Sequence, residues 1–129
     1  MFLIDTNILS FLIRENPKVT QKFIKYSQEI CLCSLVKSEC YFGAKRAYNS
    51  DLVHKYDLIF SCYSILSFDS VSSDYFVDLK VELERQGQLL EAFDLMIASI
   101  CLANDLVLVT NNTKHFERIK GLKLEDWSK

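Results

Sequence analysis

Short apolar runs separated by longer stretches of helical periodicity most narrowly limit how this chain folds. Phe2–Ile4, Ile30–Cys33, residues 64–68 and residues 106–110 have the length and side chains of buried strands. Helices are expected over 8–13, from Pro17 onward (Val19, Phe23, Ile24 and Tyr26 recur at helical spacing), and over 35–48, about 51–61, 70–86 and about 92–104. Gln86 and Gly87 offer a C-cap for the helix over 70–86, a short helix follows from Thr113, and a last strand falls around 122–124. Strands separated by helices imply a mainly parallel sheet with helices on both faces, a three-layer α/β/α sandwich. Such sheets bind ligands beyond the carboxyl ends of their strands.

The chain has 129 residues, half of them hydrophobic, which is enough for one domain spanning 1–129. A chain of this size buries roughly 65–70% of its unfolded surface. With only 3 Gly and 1 Pro, most residues should lie in regular elements. No apolar run reaches the roughly 18 residues of a membrane span, and the opening MFLIDTN lacks the basic start of a signal peptide. A cytoplasmic protein with no membrane partner is therefore expected. The 5 cysteines sit in apolar stretches and read as small buried hydrophobes. A zinc site would need more than 2 histidines and a Cys-x-x-Cys pair, which is absent.

The net charge of −2 is unevenly spread: residues 49–110 carry 10 acids and 3 bases, while 14–29, 34–48 and 111–129 are each at +2. The chain is no general polyanion binder, but it can present a local basic rim. Lys45, Arg46, Lys114, Arg118 and Lys120 are the candidates, each also explicable as a solvated surface charge.

Three acids stand where acids are costly. Asp5 directly follows the first strand, although an N-cap of the next helix would look the same. Glu39 has Leu35, Val36, Phe42 and Gly43 as its neighbours on one helix face, so it falls within an apolar stripe. Asp94 opens a helix whose inward face continues through Ile97, Ala98, Cys101 and Leu102; a cap is again the alternative. No Lys or Arg shares the stripe of Glu39 or Asp94. A buried unpaired carboxylate costs several kcal/mol, and three in one crevice would repel one another. A divalent cation resolves both problems, and oxygen ligands favour Mg²⁺, with Mn²⁺ able to substitute, over zinc. Thr110, Asn111, Asn112 and Thr113 follow the last long strand, where amide oxygens could ligate metal or orient water, or simply form a turn.

Asp5-Thr6-Asn7, Ser38-Glu39 with Phe42-Gly43-Ala44, Phe93-Asp94 with Met96-Ile97-Ala98, and Val109-Thr110-Asn111-Asn112-Thr113 occur in that order. Together they resemble the PIN-domain nucleases, specifically the VapC-type toxins of bacterial toxin–antitoxin pairs. The ending NNTKHFERIKGLKLEDW is similar to the subgroup that includes toxins cutting initiator tRNA in its anticodon loop. The resemblance implies that Asp5, Glu39 and Asp94 are catalytic metal ligands, with Thr6 and Asn7 positioning Asp5 or the substrate. It further implies hydrolysis of RNA to 5′-phosphate and 3′-hydroxyl ends, a homodimer, and a cognate antitoxin that inserts into the active-site groove. Where many PIN domains place a fourth acid this chain has Asn111 and Asn112, which argues against a tightly held second metal. Two rivals are a PIN-like module that only binds a partner and a phosphoryl-transfer α/β module. The latter needs a second acid at the position of Asn7 and a later strand-end Lys, and has neither here.

Overall fold

A computed structural model describes residues 1–129. Five parallel strands form one sheet: β1 (Phe2–Ile4), β2 (Ile30–Cys33), β3 (Ser64–Leu66), β4 (Val107–Val109) and β5 (Lys123–Glu125), in the order β3-β2-β1-β4-β5. Seven helices flank it: α1 (Thr6–Ile13), α2 (Pro17–Lys25), α3 (Ser34–Arg46), α4 (Ser50–Cys62), α5 (Ser70–Arg85), α6 (Ala92–Ala103) and α7 (Thr113–Phe116). This is the expected α/β/α sandwich, and no helix is long and apolar enough to cross a membrane. The middle strand β1 pairs Phe2 with Ile30 of β2 on one side and Phe2, Leu3 and Ile4 with Val107, Leu108 and Val109 of β4 on the other. Strand order reverses between β1 and β4, and a crevice opens at such a switch point.

Local signals explain most boundaries. Asn16, Asn49 and Asp69 cap α2, α4 and α5 by accepting from the backbone N–H of Val19, Leu52 and Ser72, and Pro17 occupies the first position of α2. The apolar faces converge on a single cluster of 28 buried residues, which includes four of the five cysteines as free thiols. Trp127 closes the chain against Phe2, Phe23 and Tyr26.

Glycine scarcity shows in how the helices stop. At the end of α5, Gly87 (φ 67°) donates to Glu84 O and Gln88 to Leu83 O, the paired bonds of a Schellman cap. Helices α1, α3 and α6 end with the same two bonds, but Glu15 (φ 60°), Tyr48 (φ 52°) and Asp105 (φ 51°) take the left-handed position. The turn at Tyr48 ends α3 at Arg46, two residues short of the expected limit. A 3₁₀ turn at Ser27–Glu29 was not signalled by periodicity. Strands β3 and β4 are shorter than their apolar runs, and β5 sits one residue further on than expected.

A side chain in the left-handed region costs about 1–2 kcal/mol per residue. Tyr48 adopts it while 95% exposed, so its ring recovers little by packing. Tyr48→Gly is therefore expected to raise stability by about 1 kcal/mol in urea unfolding; a loss of stability would contradict this account of the cap.

Candidate active site

The acids are delivered by three separate elements. Asp5 is the first residue past β1; its N–H donates to Val109 O at 2.9 Å, extending the ladder with β4 by one bond. Its carboxylate is held twice, by Thr6 N–H to Oδ1 (2.8 Å) and by the Thr110 hydroxyl to Oδ2 (2.9 Å). Cap and cleft residue are thus the same side chain. Thr110, wholly buried, stands just past β4 and also receives the Asn112 N–H at 3.1 Å. Thr6 points its hydroxyl at Glu39 Oε1 (3.0 Å), so one threonine holds two acids. Asp94 occupies the third position of α6, within the helix's positive N-terminal turn. Its Oδ2 lies 2.8 Å from His115 Nε2 on α7; a carboxylate accepts, so that nitrogen carries the proton.

Asp5, Glu39 and Asp94 line one cleft of about 470 Å³ at the carboxyl end of the sheet. One wall is the α1 face Thr6, Asn7, Ser10, Phe11 and Arg14; the α3 wall is Glu39, Cys40, Gly43 and Ala44. Asn111, Asn112 and Phe116 close the β4 side, and Leu52 and Tyr56 contribute from α4. Burial raises the Asp5 pKa above its ordinary 3.8; its threonine donors and His115 oppose this and Asp94 adds to it. Burial likewise raises Glu39 above 4.5; Thr6 opposes, while Asp5, Asp94 and Glu91 add their repulsion. Burial beside them pushes the Cys40 thiol up to about 12.

Several expectations need correction. Phe42 is 65% exposed, so the buried stripe of α3 runs through Val36, Cys40 and Ala44, with Glu39 at its edge. Asp94 is not without a partner, since His115 faces it. Lys45, Arg46, Lys114, Arg118 and Lys120 do not line the cleft. Lys45 lies beside Tyr41 and Asp57 on another face, Arg46 covers the Phe42 ring, and Arg118 is tied to the backbone oxygens of His115 and Gln88. Thr6, Asn7, Asn111 and Asn112 do reach the cleft. Arg14 and His115 were missed, although Thr6, Ser10 and Arg14 form a polar stripe at four-residue spacing that marks the cleft face of α1.

The three acids are not preassembled around a cation: no group of three His, Cys, Asp or Glu side chains is arranged to hold one. Their oxygens are instead turned to the hydroxyls of Thr6 and Thr110 and to His115. The donor chemistry nonetheless fits a hard divalent ion. The carboxylates lack a Lys or Arg counter-ion, and Asn7 Oδ1 is buried at the cleft with no hydrogen-bond partner.

Residues 2–122 match the model of the PIN domain family. The chain is 33% identical to the tRNA(fMet)-specific endonuclease VapC of Shigella flexneri and 32% identical to ribonuclease VapC2 of Rickettsia felis, over 98% or more of both chains in each pair. Among solved structures, VapBC2 of Rickettsia felis bound to a promoter DNA fragment superposes with a TM-score of 0.90 at 31% identity, covering 98% of both chains. The chain therefore belongs to the PIN-domain family. Within that family its full-length relatives are the VapC ribonucleases, and its enzyme class is that of a nuclease, a hydrolase.

A carboxyl group whose folded pKa is raised binds more protons folded than unfolded, so it lowers stability as pH rises through the window above its ordinary value. Glu39→Gln keeps an Oε1 acceptor for Thr6 and removes the charge. In EDTA at pH 7 its melting temperature is expected to exceed that of the parent, with the gain fading as pH falls toward about 4.5 and absent below it. A lower melting temperature at pH 7 would show that Glu39 is not held at an electrostatic cost.

Proposed function

We propose that residues 1–129 act as one domain, a divalent-metal-dependent endoribonuclease toxin that cleaves tRNA, with initiator tRNA as the foremost candidate. The observation that carries this reading is the gathering of Asp5, Glu39 and Asp94 on one cleft without a Lys or Arg counter-ion. The initiator-tRNA assignment is supported by the substrate named for the relatives from Shigella flexneri and Salmonella typhimurium. A cognate antitoxin as partner is supported by the VapBC assemblies among the related structures; a homodimer and a cytoplasmic location complete the proposal.

Held by Asp5, Glu39 and Asp94, Mg²⁺ or Mn²⁺ would polarise the phosphoryl group and lower the pKa of an attacking water. The protein's own groups supply orientation and proton transfer. Thr6 and Thr110 fix both oxygens of Asp5, and Thr6 fixes Oε1 of Glu39. His115 engages Oδ2 of Asp94 and leaves Oδ1 to take the proton of the water. The water oxygen bonds to phosphorus as its proton passes to Asp94, the bond to the 3′ oxygen breaks, and that oxygen takes up a proton from solvent. The products carry a 5′-phosphate and a 3′-hydroxyl. Asn7, Asn111 and Asn112 offer amides to orient water or substrate along the cleft.

Purified protein with bulk tRNA and Mg²⁺ is expected to give discrete fragments that disappear in EDTA. Asp94→Asn is expected to lower the rate by about 10²–10⁴-fold. Cleavage that persists in EDTA, or a folded Asp94→Asn protein at the parent rate, would overturn the assignment; fragments from an elongator tRNA alone would overturn the initiator-tRNA part.

A further inference from the structure

The cleft has a charge problem that its acids alone do not resolve. Asp5, Glu39 and Asp94 repel a polyanion, and none of the residues expected as a basic rim lines the cleft walls. Arg14 is the one basic side chain on the cleft wall. It forms no ion pair, since the two in the structure are His115–Asp94 and Lys123–Asp105.

Arg14 is also held in place by the cleft itself. Its Nε donates to Ser10 O at 3.4 Å and its guanidinium carbon lies 5.1 Å from the centre of the Phe11 ring; both partners are cleft residues. That arrangement uses Nε and one ring face and leaves the N–H groups on both terminal nitrogens free. Two terminal nitrogens in a planar fork match two oxygens of a phosphate. Restraint by Phe11 and Ser10 lowers the ordering cost of binding.

Position along α1 decides which phosphate. Thr6, beside the acids, and Arg14 are eight residues apart on one helix face, roughly 12 Å at about 1.5 Å per residue. That is the separation of their backbones; the guanidinium folds back to Ser10 O and so sits nearer the acids, within reach of a phosphate flanking the one that reacts at Asp5. We propose that Arg14, braced on Phe11, binds a backbone phosphate flanking the cut and sets the direction in which the RNA strand enters along α1. This rests on the ribonuclease reading above.

The test compares the parent protein with Arg14→Ala and Arg14→Lys in two measurements. Binding of fluorescein-labelled oligouridylate is followed by anisotropy in EDTA across a salt series, and tRNA cleavage is followed in Mg²⁺. Loss of one phosphate contact on a single strand makes the salt dependence of log K shallower by about 0.7. Arg14→Ala is expected to show that change, with KM about tenfold higher and kcat unchanged. Arg14→Lys is expected to keep the parent slope but bind more weakly, because it lacks the fork. An unchanged slope and KM in Arg14→Ala, with a parent that binds and cuts, would overturn the Arg14 assignment alone. A fall in kcat at constant KM would also overturn it, by placing Arg14 at the reacting phosphate. A parent that neither binds nor cuts RNA would remove the ribonuclease reading and this inference with it.

Discussion

The pairing of β1 with β4 is the contact on which the site depends. It places Ile4 beside Val109 in register, so Asp5 and Thr110 emerge together at the same edge of the sheet. The next rung, Asp5 N–H to Val109 O, fixes the backbone from which both side chains project. A slip of one residue in a parallel pair would turn every side chain to the opposite face and separate the Thr110 hydroxyl from the Asp5 carboxylate. Strands β2 and β3 lie to one side and β5 to the other, so the crevice at this switch point is a product of topology before any acid occupies it.

Filling that crevice with carboxylates costs stability that the core must offset. Asp5 is 8% exposed, and burial is the largest influence on its pKa. The protein answers with neutral donors, Thr6, Thr110 and a backbone N–H, in place of Lys or Arg. Hydroxyls satisfy an oxygen without cancelling its charge, which leaves the cleft able to accept a cation. A lysine in the position of Thr6 would stabilise the resting protein and occupy that capacity. The unpartnered Asn7 carbonyl belongs to the same pattern, a buried oxygen kept available at a cost of about 1–3 kcal/mol.

The layer architecture was legible in the sequence because its signals are local: apolar runs, helical periodicity, and caps at Asn16, Asn49 and Asp69. Asp5 was legible as a strand-end acid for the same reason. Its convergence with Glu39 and Asp94 was not, since that depends on how α3 and α6 pack. Glu39 shows how a correct element can come with a wrong environment: the stripe assigned through Phe42 is rotated to Val36, Cys40 and Ala44, which leaves Phe42 in solvent under Arg46. Lys45 and Arg118, expected at the rim, do not line the cleft walls, because a sum of charges over a segment says nothing about direction. His115 was invisible because its partner Asp94 lies 21 residues away on another helix.

In the proposed function Asp5, Glu39 and Asp94 act together as the ligands of one divalent cation. Electron paramagnetic resonance of Mn²⁺ titrated into the RNA-free protein tests it without relying on activity. One bound ion is expected in the parent, with binding much weakened in each of Asp5→Asn, Glu39→Gln and Asp94→Asn. Equal Mn²⁺ binding by the parent and a folded variant lacking all three charges would contradict the account.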